Sequence, residues 1–280
     1  EAGLAHSIAL CSDGSMRGWG NNQYGQSAIP PLPSGVTYSA ATCGQFHTLA
    51  LRSDGRAVAF GSNTWGESNV PALPPGTSYV DIAAAPRVSL LLRSDGVVVG
   101  IGDNSDGRLS VPPLPAGVRF VQIAVTGETS IGLRSDGRLE YWGRSMASGE
   151  PPVPLGASYV EIVGGDRLFA ARRSDGTVVA WEPYPQYFDL QMPPLAAGTT
   201  YNSIAAGYNQ VAAVVGPAST YVTYGSGCSG SATTPKLWPR DTPRVGRALL
   251  VLIGPLPADV AILVVGWSRL PQPVSLAPIG

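Results

Sequence analysis

The sequence predicts an all-β propeller, and three observations carry that reading. A turn tripeptide returns at a nearly fixed interval, apolar residues alternate with period two on both sides of it, and a proline-stiffened connection joins the copies. Ser-Asp-Gly occurs with its aspartate at Asp13, Asp54, Asp95, Asp136 and Asp175, spaced by 41, 41, 41 and 39 residues. Self-similarity at this period marks a repeat architecture, in which each unit buries its apolar face only against its neighbours.

The hairpin is the first element of each copy. Two apolar columns precede the turn, Ile8/Leu49/Leu90/Ile131 and Leu10/Leu51/Leu92/Leu133, and a third follows in Met16, Ala57, Val98, Leu139 and Val178. A large side chain closes the second arm at Trp19, Phe60, Ile101, Trp142 and Trp181. Alternation around Asp-Gly predicts two antiparallel strands joined by a tight turn. Asp and Gly sit there because both tolerate positive φ, Gly without steric cost. A Ser-Asp pair repeated five times is turn chemistry, not five catalytic dyads. A sixth, eroded copy spans 201–225, with "GPAS" in place of the turn.

The crossover is the second element. "PPLPSGVTY" (30–38), "PALPPGTSY" (71–79), "PPLPAGVRF" (112–120), "PVPLGASY" (152–159) and "PPLAAGTTY" (193–201) each end in an aromatic residue. Proline cannot donate to a ladder, so these segments lie outside strands or at edges. The strand that follows carries small residues (Ala83, Ala84, Ala124, Gly164, Ala205, Ala206), which suit an innermost position. With a short outer strand after "GxNxxG", each unit supplies four strands, the content of a propeller blade. Residues 1–225 thus predict six recognisable four-stranded blades. Residues 226–280 open on the flexible "GSGCSGSATTP" and read as a linker and short β-rich C-terminal segment. That tail is either a final, seventh blade or a truncated β-module.

Composition narrows the partners. The formal net charge is −1, which gives no electrostatic case for nucleic acid or an anionic membrane. Charged residues are only 13% of the chain, with 35 Gly and 26 Pro, a balance that suits short strands and many turns. Three cysteines (Cys11, Cys43, Cys228) are too few for a disulfide framework. The opening "EAGLAHSIAL" lacks a basic leader. The apolar run 248–268 has bilayer-spanning length, but Gly254, Pro255, Pro257 and Asp259 interrupt its middle. Two strands around "GPLPAD" fit it better than a membrane helix.

Residues 44–67, "GQFHTLALRSDGRAVAFGSNTWGE", resemble a repeat of the regulator of chromosome condensation type, a β-propeller family. "NNQYGQSAIP" (21–30) and "SNTWGESNVP" (62–71) are similar to its bacterial short-repeat subgroup, which includes a propeller-type β-lactamase inhibitor protein. The resemblance covers residues 1 to about 225 and implies a propeller that is bacterial and secreted or displayed at the cell surface. Its function is less specific, since the family includes exchange factors, inhibitors and binding modules. The chain departs from the family pattern where Val88, Thr129, Leu168 and Gln210 replace the histidine seen at His6 and His47. Arg172 also stands in a leucine column, and "EPYPQYFDLQ" (182–191) replaces a "GxNxxG" loop.

In a four-stranded meander, the loops after strands one and three share one end, and the Ser-Asp-Gly turns and crossovers share the other. The first end carries the varied chemistry: Arg87, Glu128, Asp166, Arg167 and Tyr208 on inner loops, with Tyr24, Trp65, Asp106, Tyr184 and Tyr187 on outer loops. Loop aromatics mixed with arginine are the residues that anchor interfaces. The expectation is therefore non-catalytic binding of a protein or glycan through this face, with no cofactor. The alternative is a small-molecule hydrolase, esterase- or phosphoesterase-like, at the mouth of a central channel. Its candidates are His6, His47 and Cys43, as nucleophile and base or, with Glu128 or Asp166, as a metal site. The sequence has no H-E-x-x-H, C-x-x-C, G-x-S-x-G or P-loop motif.

Overall fold

The computed structural model describes residues 1–144, 151, 153–181, 192, 195–197, 199–207 and 211–217, with strand residues 249–250 and 264–265. The chain divides into two compact units, Glu1–Thr220 and Tyr221–Gly280. The described secondary structure is all β.

Among its described residues the first unit holds six antiparallel sheets, one at each copy of the repeat. They are β1 (His6–Leu10) with β2 (Met16–Gly20); β3 (Tyr38–Cys43), β4 (His47–Arg52) and β5 (Ala57–Gly61); and β6 (Tyr79–Ala85), β7 (Val88–Arg93) and β8 (Val98–Gly102). Then follow β9 (Phe120–Val125), β10 (Thr129–Arg134) and β11 (Leu139–Gly143); β12 (Tyr159–Gly164), β13 (Phe169–Arg173) and β14 (Val178–Trp181); and β15 (Thr199–Ala206) with β16 (Val211–Pro217). The first strands of consecutive sheets are neighbours in the order β3, β6, β9, β12, β15, so the small-residue strand is the inner one. In the second unit, β17 (Leu249–Leu250) pairs antiparallel with β18 (Val264–Val265).

Among the described residues the sheets have two or three strands, where the sequence suggests four. The segment after "GxNxxG" forms no ladder strand, because its polar groups are used locally. Asn63 Oδ1 accepts from Ser68 N at 3.0 Å, Ser68 Oγ donates to Ser62 O at 2.7 Å, and Val70 N donates to Ser68 O at 3.0 Å. Pro71 then removes the next donor.

The turns behave as the sequence implies. The aspartate accepts the backbone N–H two residues on, as in Ser15 N to Asp13 Oδ1 at 2.8 Å and Arg56 N to Asp54 Oδ1 at 3.2 Å. The turn serine accepts from the start of the inner strand in its own sheet, as in Thr37 N to Ser53 Oγ at 3.0 Å. The turn glycine reaches the next sheet: Tyr79 N donates to Gly55 O at 2.7 Å. Gly55 has φ +78°, and a Cβ on it would stand 2.6 Å from Ser78 Cβ. Glycine is thus required there twice, by conformation and by crowding.

Each inner strand begins with a bulge that turns an aromatic inward, and Tyr38, Tyr79, Phe120, Tyr159 and Tyr201 are all buried. Three of them clamp the crossover eight residues back: Tyr38 to Pro30 O at 2.6 Å, Tyr79 to Pro71 O at 3.0 Å and Tyr159 to Pro151 O at 2.7 Å. The predicted apolar columns form the cores between sheets, with Leu49, Leu90, Leu92 and Ile131 fully covered. Leu10 and Trp19 of the first sheet are exposed exceptions. Arg172 keeps its place in the leucine column by pairing with Glu161 at 2.8 Å.

Candidate functional site

Two sets of loops meet at one end of the sheets. In four repeats the loop leading into the first arm of the hairpin accepts a backbone hydrogen bond from the loop that follows the second arm. The series is Asn21 N to Ala5 O at 2.7 Å, Ser62 N to Phe46 O at 2.8 Å, Asp103 N to Arg87 O at 2.9 Å and Arg144 N to Glu128 O at 3.0 Å. Adjacent repeats are tied there as well, since Gly127 N donates to Asp166 O at 2.9 Å and Asp166 N to Gly207 O at 3.3 Å. The face expected to carry the varied chemistry therefore brings together Tyr24, Trp65, Arg87, Asp106, Glu128, Asp166 and Arg167. Tyr184, Tyr187 and Tyr208 lie outside the described residues.

On this face the outer-loop aromatic of one repeat meets the inner loop of the next. The rings of Tyr24 and Phe46 are 5.4 Å apart and tilted at 48°. One repeat later the guanidinium of Arg87 lies 4.9 Å over the ring of Trp65. Tyr24 and Trp65 each remain 49% exposed, so the contacts hold the rings without covering them. In the third repeat Asp106 takes the aromatic position and the chemistry becomes ionic. Arg108, buried, donates to Pro86 O at 3.1 Å and Gly127 O at 2.5 Å, with Asp103 at 3.7 Å and Asp106 at 3.9 Å from its guanidinium. Glu128 pairs with Arg144 at 3.1 Å on the rim.

Below the rim runs a buried polar layer with the 41-residue period. Gln26, Glu67 and Arg108 are covered, and their carbonyls accept from Thr48 at 2.7 Å, Ser89 at 2.9 Å and Ser130 at 2.9 Å. His6 Nε2 lies 3.0 Å from Thr48 Oγ1 and His47 Nε2 lies 2.8 Å from Ser89 Oγ, so each imidazole links one sheet to the next. Gly3 and Gly44 lie against these rings, closer than any side chain could. The Glu67 carboxyl is pushed up by burial, but hydrogen bonds from Ser62 at 2.7 Å and Trp65 N at 2.8 Å outweigh this and hold it below the ordinary glutamate value. The sequence reading did not single out Gln26, Glu67 or Arg108. Three unlike polar residues at one register of an otherwise apolar repeat were the signal.

The three hydrolase candidates belong to this layer or its margin. Burial lowers the His47 pKa to about 4 and lowers that of His6, so both rings are weak bases at neutral pH. Burial pushes the Cys43 thiol up to about 11, the opposite of what a nucleophilic thiolate needs. Two concavities, one beside Ala57, Val70 and Leu73 and one beside Met192, Leu195 and Val211, flank the crossovers, and neither is lined by His6, His47 or Cys43. Among the described residues no group of three or more His, Cys, Asp or Glu side chains is placed to hold a metal ion. Among them, too, no helix is long and apolar enough to cross a membrane.

The model of the regulator of chromosome condensation (RCC1) repeat matches residues 1–26 and 39–67. Human WBSCR16 is similar in structure over 76% of this chain and 70% of its own, at 19% identity and a TM-score of 0.61. Prp20p of Saccharomyces cerevisiae is similar over 76% and 68%, at 18% identity and a TM-score of 0.60. The CRINKLY WD40 ectodomain of the Arabidopsis thaliana receptor kinase ACR4 is similar over 76% and 73%, at 20% identity and a TM-score of 0.56. No curated protein sequence matches the chain. The chain therefore has an all-β propeller fold, and two of its stretches, 1–26 and 39–67, match the RCC1 repeat.

Proposed function

We propose that this protein is a non-catalytic binding propeller that engages a protein partner through the loop face around Trp65 and Arg87. One observation carries the reading: two large rings at equivalent places in adjacent repeats, Tyr24 and Trp65, are half exposed yet each held by a second side chain. Held, exposed aromatics lose little entropy when covered, which is what interface anchors require. The opposite end repeats one turn and offers little individuality. Similar propellers bind proteins: Prp20p has described binding properties toward Gsp1p and histones, and Kap60 has been seen bound to it. The loops "NNQYGQSAIP" and "SNTWGESNVP" support placing the chain in the bacterial short-repeat subgroup, with a secreted or surface setting. The geometry around His6, His47 and Cys43 lends the hydrolase alternative no support.

Site-specific photo-crosslinking tests this reading. A crosslinker at position 65 should trap a discrete protein from the native surroundings, and one at position 95, on the turn face, should not. Trp65→Ala with Tyr24→Ala should cut capture at least tenfold and leave Tm within about 2 °C, since an interface anchor contributes more to binding than to folding. Equal trapping from both positions would overturn the proposal. Trp65-dependent binding to an immobilised glycan, with no protein trapped, would put a glycan in the partner's place.

A further inference from the structure

Arg87 breaks a local rule. It follows Pro86 in the two-residue turn between β6 and β7, the position where a type II turn needs positive φ and prefers glycine. Its φ is +66°, the one positive value among the described residues other than glycine. An L side chain pays for that conformation, and such strain persists at surface positions where function maintains it. Packing does not explain the choice of arginine, because the residue is exposed. Internal charge pairing does not explain it either. Arg108 pairs with Asp103 and Asp106 and Glu128 with Arg144 on this face, whereas Arg87 reaches Asp103 only through the longer-range pull of its charge on that carboxyl. What holds Arg87 is the ring of Trp65 under its guanidinium, a contact that uses none of the group's N–H donors.

We infer that Arg87, stacked on Trp65, is a preorganised receptor for a single carboxylate on the protein partner, with an apolar side chain of that partner on the exposed indole. This deepens the binding reading above and rests on it. A guanidinium fixed in plane by an aromatic ring presents a fork that matches a carboxylate in a bidentate pair. The surroundings set the charge it accepts. Asp103, Asp106 and Glu128 stand near enough to act on Arg108, so the neighbourhood of Arg87 is not a basic patch. A polyanion such as nucleic acid would meet all of these carboxylates, whereas one partner Asp or Glu can meet the arginine and face Asp103 alone at longer range. The Tyr24–Phe46 pair occupies the equivalent place at the preceding junction.

The test compares isosteres. Blocked dipeptides N-acetyl-Phe-Asp-amide and N-acetyl-Phe-Asn-amide are titrated into the full chain while the Trp65 indole and Arg87 Nε resonances are followed. The aspartate peptide should bind at least tenfold more tightly, and Arg87→Gln or Arg87→Gly should abolish that difference. Arg87→Gly should melt within about 2 °C of the parent or above it, because it removes turn strain. A larger drop would show that the stack serves folding, and would overturn the inference. Equal binding of both peptides would overturn it as well, as would inorganic phosphate binding more tightly than the aspartate peptide. If position 65 traps a protein but the isosteres do not differ, this inference alone fails. If position 65 traps nothing, the broader reading fails first.

Discussion

His47 shows how one side chain couples folding to solution conditions. Its ring is buried neutral between two sheets, with Ser89 Oγ at 2.8 Å and Gly44 against its face. Glu67 pulls its pKa up and His6 pulls it down, but burial dominates and leaves the value at about 4, against 6.5 in an unperturbed ring. Between those two values the unfolded chain binds a proton that the folded chain does not. Stability is therefore full above pH 6.5 and falls as the pH drops toward 4, by up to about 1.4 kcal/mol per pH unit for this one group. His6 shifts in the same direction and adds to the fall, and the depressed carboxyl of Glu67 extends it further into acid. Urea unfolding at pH 7, 6, 5 and 4.5 measures the slope, and His47→Gln should make it shallower. A variant with an unchanged slope would show that the ring is not held neutral. The histidines were legible as residues in register, but their roles were not. A 41-residue spacing says that two rings are equivalent, whereas the hydroxyl across the sheet junction is visible only in three dimensions.

The hairpin is the element whose sequence is most explicit. Alternation around Asp-Gly gives both arms and the turn, and the observed pairings Leu10↔Met16, Leu51↔Ala57 and Leu92↔Val98 put the predicted columns opposite one another. The glycine in that turn also separates two physical demands. Gly55 and Gly35 share φ +78°, so alanine at either position costs about 1–2 kcal/mol for the left-handed conformation alone. At Gly35 a Cβ would meet open space, but at Gly55 it would meet Ser78 of the next sheet at 2.6 Å. Gly55→Ala should therefore melt several degrees below Gly35→Ala, the added loss of about 1–3 kcal/mol reporting overpacking between sheets. Equal melting temperatures would mean that the turn does not bear on its neighbour. Among the described residues the fourth strand expected of each unit is not formed. The residues after "GxNxxG" are polar and apolar in suitable order, but Asn63, Ser68 and Pro71 divert or remove the groups a ladder needs.

Across the first unit, the same solution to sheet-to-sheet attachment recurs with different residues. A side chain on one inner strand receives the backbone of the next: Asp81 accepts from Ile123 N at 2.9 Å and Glu161 from Ile204 N at 3.4 Å. Gln122 does both jobs, accepting from Ile162 N at 2.9 Å and donating to Ile162 O at 3.0 Å. Asp81, Gln122 and Glu161 share a register but not a chemistry, so the sequence showed a column of polar residues without showing that it binds the strands laterally. Together with the polar layer under the rim, these contacts make each sheet depend on its two neighbours, as in a linear array of units. Gln122→Ala tests that coupling because it leaves a backbone N–H and C=O of β12 without partners, at a cost of about 1–3 kcal/mol. If stability is organised by nearest neighbours, amide exchange should accelerate about tenfold or more around Ile162 and Ile123, whereas Leu49 to Leu51, two sheets away, keep their protection. A uniform acceleration across all protected amides of the first unit would instead show a single cooperative body, and the face formed by its loops would then rest on every sheet at once.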